Sequence, residues 1–389
     1  MPIKKEKIII SIIAIIALTI IIVMVLLVIN SFPRAHIIKD FEDNQDSIQI
    51  GAVLPLTGIS SIYGQFNQEG MELALNDINK KGINNKKLEI IIEDTLSDQK
   101  NAVTALQKLI NTNKVSIVLT SASSPETVAQ ASFAEQNKVV LLAMGSAAPK
   151  IRFLGDYIFR IKIGVDKEIK ELMRFAYNDL NSRNLAILHV QNDYGEGAKE
   201  FAIKEFKKLN GNVVLVEGFD VKSTDFRSQL IKIKNSKADI VLITAWPRNT
   251  GWILKQAKEL DLNLQFIAPG GSVSPEIIEI AQDASNGLIY VLEFNTNSDN
   301  KKTKEFIKKF KNKYNREPEL FAALGYDGVM LIAKAIEQCN LDSMCVKNNL
   351  YTTQNYEGVS GTISFDEYGD VERPLYYMTI KDEKFVVLE

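Results

Sequence analysis

Residues 48–64 read IQIGAVLPLTGISSIYG and join an apolar run to a segment rich in Pro, Gly, Ser and Thr. The run at 48–54 predicts a buried strand, and a helical pattern of apolar residues begins near Phe66. In open α/β sheets, ligands gather at the carboxyl ends of the strands. A strand that ends in a long, hydroxyl-bearing loop therefore predicts a ligand-binding loop, with Tyr63 near its end.

Further apolar runs alternate with helical patterns along the chain. They cover residues 88–94, 115–120, 138–144, 184–190, 212–219, 238–246 and 262–269. Continuous apolar strands predict burial on both faces, which is typical of a parallel sheet covered by helices on each side. With the run at 48–54 there are eight apolar runs. The last four repeat the first four at an offset of roughly 125–135 residues, which predicts two similar α/β lobes.

The predicted fold class is α/β, with two doubly wound parallel-sheet lobes joined by a three-strand hinge and preceded by one transmembrane helix. The tail from Gly287 is too short for a third lobe, so we expect it to complete both lobes by crossing between them. The expected divisions are an anchor at 1–30, a linker at 31–47, a first lobe at 48–164 plus 293–372, and a second lobe at 165–292 plus 373–389.

The N-terminus carries a long uncharged segment. Lys4, Lys5 and Lys7 precede the run 8–29, which contains no charged residue. At 1.5 Å per residue this run spans about 33 Å, enough to cross a bilayer and longer than the apolar part of a cleaved signal. The lysines are expected to stay inside the cell. The sequence thus predicts a single-pass anchor in the cell membrane, with the binding domain outside the cytoplasm.

Composition and motifs exclude several function classes. A net charge of −2 gives no general attraction for nucleic acid. Phosphate-binding and hydrolase motifs are absent from the sequence, so we expect no enzyme and no cofactor. Cys339 and Cys345 are too few for a structural zinc site. In an exported protein they predict a local disulfide, with two free thiols as the alternative.

Two loops of the first lobe carry candidate ligand contacts. In SASSPET (121–127), Ser124 can cap a helix whose first position is Pro125. The hydroxyl groups of Ser121 and Ser123, with the unpaired amides of that helix, form a candidate anion site. The small residues of GSAAP (145–149) allow close approach of a ligand to the backbone.

The second lobe offers aromatic residues at the corresponding strand ends. Tyr194 follows one strand and Trp246 follows another, and APGGS (268–272) follows a third. Aromatic side chains at a cleft can contact an apolar group while presenting a polar tip. Since a cleft between two lobes is the default place for a small ligand, the loops of both lobes are expected to meet there.

Several segments resemble a known family. They are GAVLPLTGISSIYGQFNQEGMELALNDINKKGI (51–83), SASSPET (121–127), HVQNDYGEG (189–197), WILKQAKELDLNLQFIAPGG (252–271) and GTISFDEYGD (361–370). In order and at matching spacing, they resemble the periplasmic leucine/isoleucine/valine-binding proteins, which are type I solute-binding proteins of ABC transporters. The resemblance covers residues 48–389.

The resemblance implies roles for particular residues. Ser123 matches the serine that holds the ligand's carboxylate in the family. Tyr63 and Tyr194 match aromatic residues that line the site from opposite lobes, and backbone groups around Gly145 match further contacts.

The sequence departs from the family pattern at three positions. Ala147 stands where branched-chain amino-acid binders have Thr, with Ser146 beside it as a substitute, and Trp246 replaces a Tyr. Gly270 stands where they have the Glu that pairs with the ligand's ammonium group. A buried ammonium without a partner costs several kcal/mol. A carboxylate-bearing, amide-like or aromatic ligand without a positive charge therefore competes with a free amino acid.

The function expected from the sequence is capture of a small ligand for an ABC permease and its ATPase subunits. The alternative is a ligand-sensing receptor ectodomain of the same fold that signals through a partner protein. Only seven residues precede the predicted anchor, which favours transport over signalling.

Overall fold

The computed structural model describes residues 36–37 and 47–388 of the 389-residue chain. The predicted anchor at 1–30 and nearly all of the linker lie outside the described residues. Among the residues that are described, no helix is both long and apolar enough to cross a membrane.

Besides the two-residue strand His36–Ile37, the first sheet contains five parallel strands. They are β1 (Ser47–Leu54), β2 (Lys87–Asp94), β3 (Ile117–Thr120), β4 (Val140–Ala143) and β5 (Ile158–Arg160), paired in the order β2-β1-β3-β4-β5. The connecting helices are α1 (Ser61–Asn79), α2 (Gln99–Asn111) and α3 (Ser124–Gln136). Every residue of β3, β4 and β5 is buried, as the continuous apolar runs predict.

The second sheet has seven strands. They are β6 (Asn184–Val190), β7 (Asn212–Phe219), β8 (Ile240–Thr244), β9 (Gln265–Pro269), β10 (Ile289–Leu292), β13 (Tyr376–Lys381) and β14 (Lys384–Val387), in the order β14-β13-β10-β9-β8-β6-β7. The two C-terminal strands are antiparallel, so this sheet is mixed and not wholly parallel as predicted. The expected two-faced burial is also wrong for β7, because an edge strand alternates between exposed and half-buried residues.

Helices and short turns surround the second sheet. They are α4 (Val165–Asn178), α5 (Asp193–Lys208), α6 (Arg227–Lys234), α7 (Pro247–Glu259) and α8 (Glu276–Ala281), with 3₁₀ turns at Gly270–Ser272 and Gln282–Ser285. A further 3₁₀ turn, Pro149–Phe153, packs on the first sheet through Ile151. Alternation of strand and helix places helices on both faces of each sheet, the layered arrangement expected of an α/β chain.

The C-terminal region packs against the elements of the first sheet and adds two strands to the second. Its helices are α9 (Lys301–Tyr314), α10 (Leu320–Cys339) and α11 (Ser343–Tyr351), followed by a ribbon of β11 (Tyr356–Glu357) and β12 (Thr362–Ile363). α10 packs so closely on α1 that a Cβ atom at Gly70 would lie 1.8 Å from the carbonyl oxygen of Ala322. The chain thus passes between the sheets after β5, after β10 and before β13. A disulfide between Cys339 and Cys345 joins α10 to α11.

Candidate ligand-binding site

The hydroxyl groups of the loop after β1 bond to the neighbouring loop. Asp94 accepts hydrogen bonds from the Leu56 amide at 2.9 Å and the Thr57 hydroxyl at 2.8 Å. The Ser60 hydroxyl donates to Ser97 Oγ at 2.9 Å. These bonds explain why the loop is rich in Ser and Thr: its polar side chains fasten it to the loop after β2.

Tyr63 belongs to a helix and not to the loop. α1 begins at Ser61, five residues before the helical pattern expected near Phe66. Tyr63 therefore lies in the first turn of α1, where it is 1% exposed. The expectation of a loop through residue 64 is wrong because Ser60, Ser61 and Gly64 give the start of α1 the composition of a turn.

A small cavity of about 20 Å³ lies between the two sheets. Its lining consists of Tyr63, Ala122, Ser124, Gly145, Ala147, Lys162, Tyr194, Trp246, Gly271 and Phe321. Six of these residues are among those predicted from the sequence. They come from the carboxyl ends of strands in both sheets, as the ligand rule for open α/β sheets requires.

Tyr63 links the two sides of the cavity. Its hydroxyl donates a hydrogen bond to the carbonyl oxygen of Gly271 at 2.8 Å. Its ring lies 5.1 Å from the ring of Trp246 and 4.6 Å from that of Phe321, measured between centroids. Burial raises the pKa of Tyr63 well above its ordinary value, so the hydroxyl stays a neutral donor. The side chain therefore bridges the sheets by one hydrogen bond and by its contact with Trp246, whereas Phe321 lies on α10 on the same side as Tyr63.

Ser124 supplies a polar group on the cavity wall. α3 begins at Ser124 with Ser123 as its N-cap, so the predicted cap position is wrong by one residue. Ser124 Oγ accepts hydrogen bonds from the amides of Ala147 and Ala148, both at 3.1 Å. Both bonds use lone pairs of the oxygen, so its hydroxyl proton can be donated into the cavity.

Three other predicted serines lie outside the cavity lining. The Ser121 hydroxyl donates to Oδ1 of Asn67 at 2.7 Å, and the Ser146 hydroxyl donates to the carbonyl oxygen of Ser121 at 2.9 Å. The Ser123 hydroxyl lies near the carboxyl group of Glu126 and acts to lower its pKa. These hydroxyl groups hold the first-sheet loops together.

Glu126 occupies the helix N-terminus that the sequence suggested as an anion site. Burial raises the pKa of Glu126 to about 7, against the lowering effect of the nearby Thr95 and Ser123 hydroxyl groups. The protein's own carboxyl group thus interacts with the favourable end of the α3 dipole.

Gly270 borders the cavity without lining it. Its amide donates a hydrogen bond to Oε1 of Glu168 at 3.2 Å. A Cβ atom at this position would lie 2.6 Å from the carbonyl oxygen of Val291 and 3.1 Å from Glu168 Oε1. A side chain at 270 would therefore require the backbone to move, and a neighbouring carboxylate already occupies the adjacent space.

A buried ionic cluster lies beside the cavity. Lys162, which lines the cavity, donates to Oε1 of Glu168 at 3.1 Å and to Oε2 of Glu293 at 3.0 Å. All three side chains are completely buried. Burial alone would lower the pKa of Lys162, but the two carboxylates raise it above the ordinary value. The lysine is therefore a permanent cation.

A second and larger cavity lies on the other side of Gly270. It has a volume of about 330 Å³ and shares Phe321 with the first cavity. Its wall is largely apolar and includes Phe66, Tyr290 and Phe294. The carboxyl group of Glu319 also faces it, and burial raises the pKa of this group to about 7.

The sequence profile of the periplasmic binding protein family matches residues 47–384. The chain belongs to the periplasmic binding protein family. The resemblance read from the sequence is thereby confirmed.

Individual relatives share much of the length. The leucine-, isoleucine-, valine-, threonine- and alanine-binding protein of Pseudomonas aeruginosa is 29% identical over 330 residues, which are 84% of this chain and 88% of that protein. A crystal structure of the leucine-binding protein LivK from Thermotoga maritima is similar at 28% identity and a TM-score of 0.84, covering 88% of this chain and 98% of that chain. LivJ from Streptococcus pneumoniae, in complex with isoleucine, matches at 28% identity and a TM-score of 0.82, covering 88% and 99%.

The sequence analysis does not predict several residues that line or adjoin the cavity of this periplasmic binding protein. They are Ala122, Lys162, Gly271 and Phe321 in the lining, with Glu168 and Glu293 behind Lys162. One signal was present: FRIKI (159–163) places Arg160 and Lys162 in an otherwise apolar segment. Charged residues in such a run are buried only with partners, which the sequence alone does not identify.

Proposed function

We propose that this protein is an extracytoplasmic solute-binding protein that captures a small ligand between its two sheets and delivers it to an ABC permease and its ATPase subunits. The ligand class is amino-acid-like, or carboxylate- or amide-bearing. The observation that carries the proposal is a cavity walled from both sheets, with Tyr63 on one side hydrogen bonded to Gly271 on the other. Relatives named for branched-chain amino acids, and LivJ in complex with isoleucine, support it.

The cavity divides into ends of different chemistry. The Ser124 hydroxyl, beside the small residues Gly145 and Ala147, offers a polar contact for a carboxylate or amide group. The rings of Tyr194 and Trp246, with Phe321, offer an apolar surface for the rest of the ligand.

Entry of a ligand requires the lobes to move apart, because a cavity of about 20 Å³ holds little more than one water molecule. We propose that the first lobe comprises 48–164 plus 293–372 and the second 165–292 plus 373–389. The three connections near residues 164, 292 and 373 then act as the hinge. A ligand that touches both lobes favours the closed state through that differential contact.

The protein is proposed to be tethered to the membrane and to act without chemical turnover. The uncharged run at 8–29, preceded by three lysines, supports a single-pass anchor with the binding domain outside the cytoplasm. The similar proteins are named as binding proteins, which supports a non-enzymatic role.

The test uses the full-length chain, purified in a mild detergent, and a panel of amino acids, amides and organic acids. A true ligand at 100 times its dissociation constant should add about 2.7 kcal/mol of apparent stability in a thermal-shift assay. Small-angle X-ray scattering with that ligand should show compaction. A folded protein that binds no member of the panel would contradict the ligand class, and binding without compaction would contradict the hinge.

A further inference from the structure

The larger cavity beside the ligand cavity has the size of a small-molecule site. Its volume of about 330 Å³ falls in the usual range of such sites, about 300–1,000 Å³. The two cavities share Phe321 and no other lining residue among those that the structure describes. The larger cavity is therefore a separate space that the proposed function does not use.

Both sheets supply walls to this second cavity. Phe66 of α1 and Phe321 of α10 belong to the hydrophobic core of the first sheet, whereas Tyr290 of β10 and Met378 of β13 belong to that of the second. Rings and aliphatic side chains form most of the lining. Such a lining favours a molecule that removes apolar surface from water on binding.

Two polar groups of the wall lack partners. The Tyr290 side chain is 2% exposed, and its hydroxyl forms no hydrogen bond to any described residue. The carboxyl group of Glu319, the N-cap residue of α10, likewise forms no hydrogen bond or ion pair within the described part of the chain. A buried tyrosine hydroxyl usually has a partner, and leaving such a group unsatisfied is costly. A molecule in the cavity would supply what both groups lack.

The charges around the cavity disfavour an anion. Three carboxyl groups, those of Glu317, Glu319 and Glu383, line it, against Lys384 as the one lining cation in the described part of the chain. Glu317 and Glu383 are exposed, so Glu319 is the carboxyl group that faces the interior. An ammonium group is also disfavoured, because it would lose its hydration inside a largely apolar wall.

A hydroxyl group matches the two unpartnered groups. Burial raises the pKa of Glu319 to about 7, against the lowering effect of Arg316 and with a further rise from Glu317. This carboxyl group is therefore present in both charge states near neutral pH. A hydroxyl group donates to a carboxylate, accepts from a carboxylic acid, and in either case accepts from the hydroxyl of Tyr290.

We propose that the second cavity is a binding site for a neutral, mainly apolar molecule with one hydroxyl group, such as an aromatic alcohol. The ring of this molecule contacts the aromatic wall, and its hydroxyl group bonds to Tyr290 and Glu319. The site goes beyond the proposed function, because it takes a different class of molecule in a different cavity. Since both sheets form its walls, its occupant favours the same closed arrangement as the ligand of the smaller cavity.

The first experiment titrates the full-length chain, in a mild detergent at pH 7.5, with benzyl alcohol, benzylamine and benzoate by calorimetry. The probes share one ring and differ in the charge of the polar group. We expect benzyl alcohol to bind about threefold more tightly than benzylamine and about tenfold more tightly than benzoate. Equal or tighter binding of either charged probe would overturn the inference. Benzyl alcohol heats no larger than those of empty micelles would also overturn it.

The second experiment locates the site with Tyr290→Phe and Glu319→Met, each beside a matched control. Tyr368→Phe removes the hydroxyl of a ring that is 38% exposed, and Glu317→Met changes a carboxyl group that lines the same cavity but pairs with Lys311. Y290F and E319M should each weaken benzyl alcohol about threefold to tenfold, the effect of one hydrogen bond, whereas the controls should not. Unchanged affinity in both Y290F and E319M would overturn the inference.

The folding of these variants supplies a second readout. Because neither side chain has a partner to lose, the urea midpoints of ligand-free Y290F and E319M should equal or exceed the wild-type value. Lower midpoints for both would show that the two groups are already satisfied in the ligand-free protein, and would overturn the inference.

A third measurement separates this site from the cavity of the proposed function. Benzyl alcohol is titrated into protein saturated with the ligand found in the thermal-shift panel. We expect its affinity to be unchanged or higher, because the two molecules occupy different cavities and favour the same closed state. Loss of benzyl alcohol binding would assign both to one cavity, which would overturn the inference and leave the proposed function standing. If no panel member binds, the proposed function fails, and the comparison of wild type with Y290F still tests the second cavity.

Discussion

Two buried ionic groups lie only two residues apart in the chain and differ in completeness. Arg160 donates from Nε and Nη2 to the two oxygens of Asp370, each at 2.5 Å, and from Nη1 to the Ala148 carbonyl at 3.0 Å. Lys162 instead faces two carboxylates, one of which keeps an unbonded oxygen. In hydrogen bonding, the first group is balanced and the second is not. Two buried charges in one short segment thus differ in how completely the fold satisfies their partners.

The largest expected effect is on the balanced group. Asp370→Asn should lower the free energy of unfolding by about 3–5 kcal/mol, because it leaves the buried guanidinium of Arg160 without its counter-charge. Equilibrium denaturation with urea measures the change. Asp366→Asn is the control, since its partner Arg152 is partly exposed and the expected loss is below about 1 kcal/mol. Equal stabilities of the two variants would show that the buried pair of Arg160 and Asp370 contributes no more than the partly exposed pair of Arg152 and Asp366.

The unbalanced group, which contains Glu168, should affect how the stability of the ligand-free protein depends on pH. The pKa values of Glu168, Glu126 and Glu319 are raised to about 7, in each case mainly by burial. A carboxyl group with a higher pKa in the folded state binds more protons when folded. Its contribution to the free energy of unfolding is therefore greatest below its pKa in the unfolded state, about 4.3. That contribution is lost as the pH rises through about 7.

The wild-type protein should accordingly lose on the order of 2 kcal/mol of unfolding free energy per such group between pH 5 and pH 8. Glu168→Gln should show a shallower decline, and Glu171→Gln, whose side chain is 37% exposed and pairs with Arg174, should follow the wild type. Urea midpoints at four pH values measure this difference. Superimposable profiles for the wild type and E168Q would show that Glu168 keeps an ordinary pKa.

A crosslink distant in sequence from both groups tests whether stability and selectivity are separable. Reducing the disulfide between Cys339 and Cys345 should cost about 2 kcal/mol or somewhat less, because the enclosed loop is short. Unfolding with and without reductant measures the cost, with the Cys339→Ser, Cys345→Ser double variant as control. The affinity for the ligand found in the thermal-shift panel should not change. Two alkylatable thiols in protein purified without reductant would contradict the disulfide.

The smallest effect concerns the serine that contacts the polar end of the proposed ligand. Resemblance to the family assigns the carboxylate contact to Ser123, whereas Ser124 lies on the cavity wall. Loss of a charge-assisted hydrogen bond should weaken carboxylate ligands by about 1–2 kcal/mol in the variant that removes the true donor. Calorimetry of Ser123→Ala and Ser124→Ala side by side decides between them. We expect the larger loss in Ser124→Ala, and a larger loss in Ser123→Ala would restore the family assignment.

Much of the fold could be predicted because the strands are apolar along their whole length. The exposure of β7 could not be predicted, because an edge strand is distinguished by its neighbours and not by its composition. At the site, Tyr194 and Trp246 were predictable from their positions after strands. The ionic cluster was not, because Lys162 lies 131 residues from Glu293 and Glu168 lies 102 residues from Gly270. Such pairings depend on how the chain folds back on itself.

The hydrogen bond from Tyr63 to the Gly271 carbonyl affects rates as well as affinity. A molecule enclosed between the sheets cannot leave until this bond and the ring contact of Tyr63 with Trp246 separate. The same contacts are absent when a ligand first meets an open cleft, so they act on dissociation far more than on association. Under the proposed function, Tyr63 sets how long a captured molecule stays in place, which is the time available for delivery to the proposed permease.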